Sequence, residues 1–175
     1  MRPIRANVTI SAPREQVYDF VADLANRVSW CDHYQRELRL TRPRSSGRGA
    51  AARFLLKAPF NRTWVETSVV EYSPPRVLRE TLRLRRLGRT PGFVEYDFEP
   101  VGAAATRIQL AIWTEPATRL DRFKESLGMR SWLKRKVNRS LSRLRAVFEE
   151  SRKTPLERAT IAGYEPSKAP RFGST

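Results

Sequence analysis

The chain has 175 residues, 40% of them hydrophobic, which suits one domain around one core; its 34 Lys and Arg against 18 Asp and Glu leave a net charge of +16. A single cysteine, Cys31, excludes an internal disulfide, and with a single histidine, His33, the chain cannot supply the four Cys or His ligands of a structural zinc site. No run reaches the roughly 18 apolar residues of a membrane span, and no apolar signal core follows Met1-Arg2-Pro3-Ile4-Arg5, so a soluble, cytoplasmic protein without metal or cofactor is expected.

Ile4 to Ile10 alternates Val8 and Ile10 with Asn7 and Thr9, the period of a half-buried strand. Pro13 suits the first position of a helix and Glu15 its first turn; Val17, Phe20, Val21 and Leu24 then recur at helical spacing, predicting a helix from about Pro13 to Leu24. A short helix or turn is expected over Ala25 to Trp30. Strands follow from about Tyr34, over Ala50 to Lys57, Thr63 to Tyr72, Val77 to Leu84, Phe93 to Phe98 and Thr106 to Thr114, separated by clusters of Pro, Gly, Ser and Asn. Six strands in succession argue for an antiparallel meander. A long helix is expected from Leu120 or Met129 to Glu150, with Leu133, Val137, Leu141, Leu144 and Phe148 forming its apolar stripe. Residues 153–175 lose this periodicity and are expected to be a flexible tail on a domain of residues 1–152.

This order, with particular words in the sequence, resembles the START/SRPBCC superfamily, and within it the polyketide cyclase/dehydrase-like and coenzyme Q-binding-like proteins. The words are Val8-Thr9-Ile10-Ser11-Ala12-Pro13-Arg14-Glu15-Gln16-Val17-Tyr18, Trp30, Val70-Glu71-Tyr72-Ser73-Pro74-Pro75-Arg76-Val77-Leu78, and Tyr96-Asp97-Phe98-Glu99-Pro100 leading to Ala105-Thr106-Arg107-Ile108. The likeness covers about residues 4 to 150; where the family often has Gly-Thr before its last strand, this chain has Ala105-Thr106. It implies an α+β helix-grip fold, a curved seven-stranded antiparallel sheet wrapped around the long C-terminal helix, with two short helices after the first strand. It also implies a cavity for a hydrophobic ligand.

Trp30, Tyr34, Trp64, Tyr96, Phe98, Leu133 and Val137 are the candidate ligand-binding residues: aromatics on strands and short helices, with one face of the long helix. The catalytic candidates are His33 as an acid or base, Glu66 as a strand carboxylate that burial would shift, and Tyr96. For His33 the competing reading is a packed loop residue, and for the aromatics it is ordinary core. If Ile108, Leu110 and Ile112 face inward, Trp113 faces out as a candidate partner or membrane contact.

Of the 34 cations, 28 are arginine, and they crowd residues 76–89 and 119–153. Such faces fit an anionic membrane surface or RNA, although solvated surface explains them too. Three functions follow: a carrier or sensor of a lipid, quinone or polyketide-like molecule; a polyketide aromatase/cyclase; or a ribosome-, RNA- or membrane-associated basic protein. Oligomeric state is not specified by the sequence.

Overall fold

The computed structural model describes residues 3–59, 62–84, 91–102, 104–115 and 129–153, with side chains to 150. Of the tail expected over 153–175, Lys153 belongs to the last helix and the rest, like the stretch 116–128, lies outside the described residues.

Seven strands form one antiparallel sheet: β1 (Ile4–Ile10), β2 (Gln35–Leu40), β3 (Ala51–Lys57), β4 (Arg62–Ser73), β5 (Val77–Leu84), β6 (Pro91–Val101) and β7 (Ala105–Thr114). The spatial order is β1-β7-β6-β5-β4-β3-β2, so the meander from β2 to β7 is completed by β1 beside β7. The helices are α1 (Arg14–Ala22), α2 (Arg27–Cys31) and α3 (Met129–Lys153). The sheet curls into a half-barrel with α3 across its inner side, where α3 packs on β1 and α2; this is the helix-grip fold.

Two boundaries differ from expectation for local reasons. Helix α1 ends at Ala22 rather than Leu24, because Asp23 turns to extended backbone and its carboxylate accepts the Ala25 N–H at 2.9 Å. That bond caps a 3-10 turn over Leu24–Asn26, which hands the chain to α2. Strand β6 runs past Phe98 through Pro100 to Val101; Pro100 faces Thr106 next to the hairpin turn, where Gly102 takes a positive φ of 67°.

Alternation decides the two faces. Ile4, Val69, Leu78, Val94, Tyr96, Phe98, Ile108, Leu110 and Ile112 face inward and are buried. From α3, Val137, Leu141, Leu144 and Phe148 meet them as the stripe predicts, and Trp132 and Ser140 are buried beside them. Helix α1 closes the other end: Tyr18 packs on Phe98 with ring centroids 5.0 Å apart, and its hydroxyl donates to the Val77 carbonyl at 3.2 Å. Phe20 meets Phe148 edge-on at 5.2 Å.

Candidate functional site: the inner face of the grip

Strand β5 carries Leu78, Glu80 and Leu82 on its inner side, so a carboxylate is folded into an apolar row. Glu80 is 0% exposed. Its counter-charge comes from α2. Leu24, Arg27 and Trp30 are each three residues apart, which turns Arg27 onto the buried side of that segment. Arg27 Nη1 donates to Glu80 Oε2 at 2.8 Å, Nη2 donates to Oε1, and the Thr67 hydroxyl donates to Oε2 at 2.6 Å. Burial alone would push the Glu80 carboxyl up, but the guanidinium and the hydroxyl hold it below the usual range. For Arg27, burial works against the charge and Glu80 outweighs it, so the guanidinium is held ionised. The pair is a two-point fork sealed from water.

Aromatic and sulfur groups surround this pair. Burial drives the Tyr96 and Tyr34 hydroxyls far above their usual values, so both stay protonated. Burial also pushes the Cys31 thiol up to about 11, and the thiol lies 3.6 Å from the Ser140 hydroxyl. Gln35 Nε2 donates to the Tyr34 hydroxyl at 3.1 Å, and the Tyr34 ring meets Trp132 edge-on at 6.2 Å. Among the described residues, four buried polar atoms in and beside this region have no hydrogen-bond partner: Arg27 Nε, Trp30 Nε1, Gln35 Oε1 and Thr63 Oγ1.

Burial is graded along the inner face. Passing from Glu80 toward the β3–β4 hairpin, exposure on β4 rises from 0% at Thr67 through 2% at Val65 to 7% at Thr63. Their inner-row neighbours Leu82, Leu84 and Leu56 are half-buried. The first turns of α3 reach the same end, since Arg130 donates to the Pro3 carbonyl, and they bring half-buried Met129 and Leu133. The inner face thus runs from a sealed ionic floor to an apolar rim. Gly92 belongs to this wall: a Cβ there would stand 3.1 Å from the Leu82 Cβ.

Trp30, Tyr34, Tyr96, Phe98 and Val137 lie inside the grip, with Leu133 at its rim. Phe98 sits deep, under α1. Trp64 points the other way. It shares the outer face with Arg53, whose guanidinium lies 5.1 Å from the ring centroid, because Thr63, Val65 and Thr67 take the inward positions. Glu66 is outward and exposed for the same reason, so it is not the buried carboxylate that acid–base chemistry would need. His33 stays outside the ionic cluster: Nε2 faces the Lys136 carbonyl at 3.2 Å, and Arg143 Nη1 lies 3.5 Å from Nδ1. Trp113 does face out, stacked on Phe93 at 5.3 Å. The central pair, Arg27 and Glu80, is not among the residues expected from sequence. The available signal was a lone acid between two leucines at strand spacing.

The family model for "Polyketide cyclase / dehydrase and lipid transport" matches residues 1–149. The chain belongs to this family. Among curated proteins, none matches its sequence. Solved structures of this fold include a START superfamily protein from Mycobacterium smegmatis, at TM-score 0.64 and 13% identity, covering 85% of this chain and 97% of that one. A norcoclaurine synthase from Thalictrum aligns at TM-score 0.67 and 9% identity over 86% of this chain and 96% of that one. A protein from Thermus thermophilus aligns at TM-score 0.64 and 18% identity over 85% and 98%. At these identities the likeness is one of fold. Family membership supports hydrophobic-ligand binding in general terms. Among the described residues, no helix is long and apolar enough to cross a membrane.

Proposed function

We propose that this polyketide cyclase/lipid-transport family member binds an apolar small molecule, of lipid, quinone or polyketide type, on the inner face of the grip. The observation that carries the reading is the gradient from the half-buried rim of Leu56, Leu82, Met129 and Leu133 to the buried, polar-tipped floor at Arg27, Trp30, Glu80 and Tyr96. An apolar body is favoured by the rim, at about 25 cal/mol per Å² removed from water. The unpartnered N–H groups of Trp30 and Arg27 suit an accepting oxygen at the leading end. Because those atoms are closed off in this structure, a ligand reaches them by displacing side chains of the rim.

The chemistry of the floor favours binding over catalysis. Glu80 is locked as an anion by Arg27, and Tyr96 is locked as a neutral phenol. Glu80 stays ionised and Tyr96 stays protonated through the neutral range, so neither is poised to exchange a proton there, as efficient proton transfer requires. A carrier or sensor therefore ranks above an aromatase/cyclase.

The test is native mass spectrometry combined with thermal melting against a phospholipid, a ubiquinone analogue and a flat polycyclic polyketide. At least one should give a mass adduct and raise the melting temperature, with about 2.7 kcal/mol of stabilisation at one hundred times its Kd. The reading is abandoned if none of the three binds.

A further inference from the structure

The outer face of the sheet is divided by charge. At its centre the cations are neutralised: Arg79 bonds both Glu71 and Glu95 at 2.7 Å. Over β2 to β5 the arrangement is different. Arg36, Arg39, Arg53, Lys57, Arg62 and Arg83 are exposed there, and no carboxylate among the described residues pairs with any of them. Arg39, Arg53, Glu66 and Arg83 stand in one cross-strand row, which spans about 14 Å at the usual strand spacing. Two cation pairs are directly opposed, Arg39 to Arg53 and Lys57 to Arg62.

Like charges facing each other across a strand pair oppose folding. Glu66 offsets part of the charge of Arg53 and Arg83 beside it, but the opposed pairs Arg39–Arg53 and Lys57–Arg62 leave a net positive surface that a covering anion makes more favourable. Two further features indicate the shape of that anion. The loop after β2 adds Arg42 and Arg48, which with Arg83, Ser68 and one acid, Glu66, line an open groove of about 410 Å³ against β4, three cations to one carboxylate. Trp64 lies on the same face, its ring half-buried beside Arg53.

We infer that this face binds single-stranded nucleic acid. A cationic groove that follows a phosphodiester chain, next to an aromatic ring on which a base stacks, is the combination such binding uses. Arginine supplies the planar fork that matches phosphate oxygens. A bilayer fits the face less well: of the four exposed large apolar side chains among the described residues, only Val70 lines this groove, so little is offered for insertion. The surface lies on the side of the sheet opposite the proposed ligand site, and the inference is independent of that reading.

The experiment is fluorescence anisotropy with a labelled single-stranded RNA of about 12 nucleotides, repeated over a range of NaCl concentrations. The wild-type chain should bind, with affinity falling linearly in log–log form as salt rises. Replacing Arg48, Arg53 and Arg83 by Gln should weaken binding tenfold or more and flatten the salt slope by about 2, at roughly 0.7 per phosphate contact. Trp64→Leu should weaken binding roughly tenfold and leave the slope unchanged. The triple variant Lys134→Gln, Arg135→Gln, Arg139→Gln, on the exposed side of α3, serves as the charge-matched control and should bind like wild type. Circular dichroism confirms that each variant is folded. Failure of the RNA to bind at low salt overturns the inference, as does equal weakening by the α3 control. So does retention on phosphatidylglycerol vesicles without RNA binding, which would make the face a membrane contact.

Discussion

Arg27 and Glu80 are 53 residues apart in sequence, and each is tolerable in the interior only because of the other. Removing one partner of such a pair strands a buried charge, at a cost of about 3–5 kcal/mol, whereas removing both costs much less. Arg27→Met should therefore destabilise the protein by that amount in urea unfolding, and the double variant Arg27→Met, Glu80→Met should recover most of the loss. Equal destabilisation of the single and double variants would show that the pair is not coupled. The pH dependence has a definite sign. The folded-state value of Glu80 lies below the ordinary carboxylate value, so its stabilisation is complete above about pH 4.3 and is lost as pH falls through the depressed value. Glu80→Gln should remove that part of the acid transition. At the same scale, Trp64 shows what strand alternation decides: Val65 and Val69 occupy the inward positions of β4, so Trp64 and Glu66 must face out.

At the scale of elements, α3 is held in two ways. Its apolar stripe is buried against the sheet, so Leu141→Ala should cost about 2.7–5 kcal/mol by melting or urea unfolding, and exposed Ser142→Ala less than about 0.5. Comparable losses at the two positions would mean that α3 is not gripped. Its polar side is latched to the two residues that follow α2: Arg143 pairs with Asp32, and the neutral His33 ring donates from Nε2 to the Lys136 carbonyl while Nδ1 faces Arg143. Burial, followed by the charges of Lys136, Arg143 and Arg139, lowers the histidine below its usual 6.5. A base depressed in the folded state stabilises fully above the unfolded value and loses that contribution as pH falls through the folded one. The melting temperature should thus drop as pH falls below the ordinary histidine value of about 6.5, and His33→Gln should flatten that drop. An unchanged pH profile in the variant would remove His33 from the latch.

At the scale of the whole molecule, a net charge of +16 on 175 residues opposes compaction. Screening relieves this repulsion more than it weakens the ion pairs among the described residues, most of which are surface-exposed. Raising NaCl from about 0.05 to 0.5 M should increase the melting temperature in a scan of the free protein. A flat or falling curve would mean that local pairs already balance the charge.

The sequence by itself determined the order of elements, the meander, the stripe on α3 and the family, because helical and strand periods and turn residues are local properties of the chain. Only the tertiary structure decided that Glu80 meets Arg27, that Trp64 is turned outward beside Arg53, and that like charges from β2 and β3 stand opposite one another. Those facts depend on register and packing between segments distant in sequence. Periodicity can separate two faces of a strand, but a neighbouring element must be in place before one of them becomes the inside.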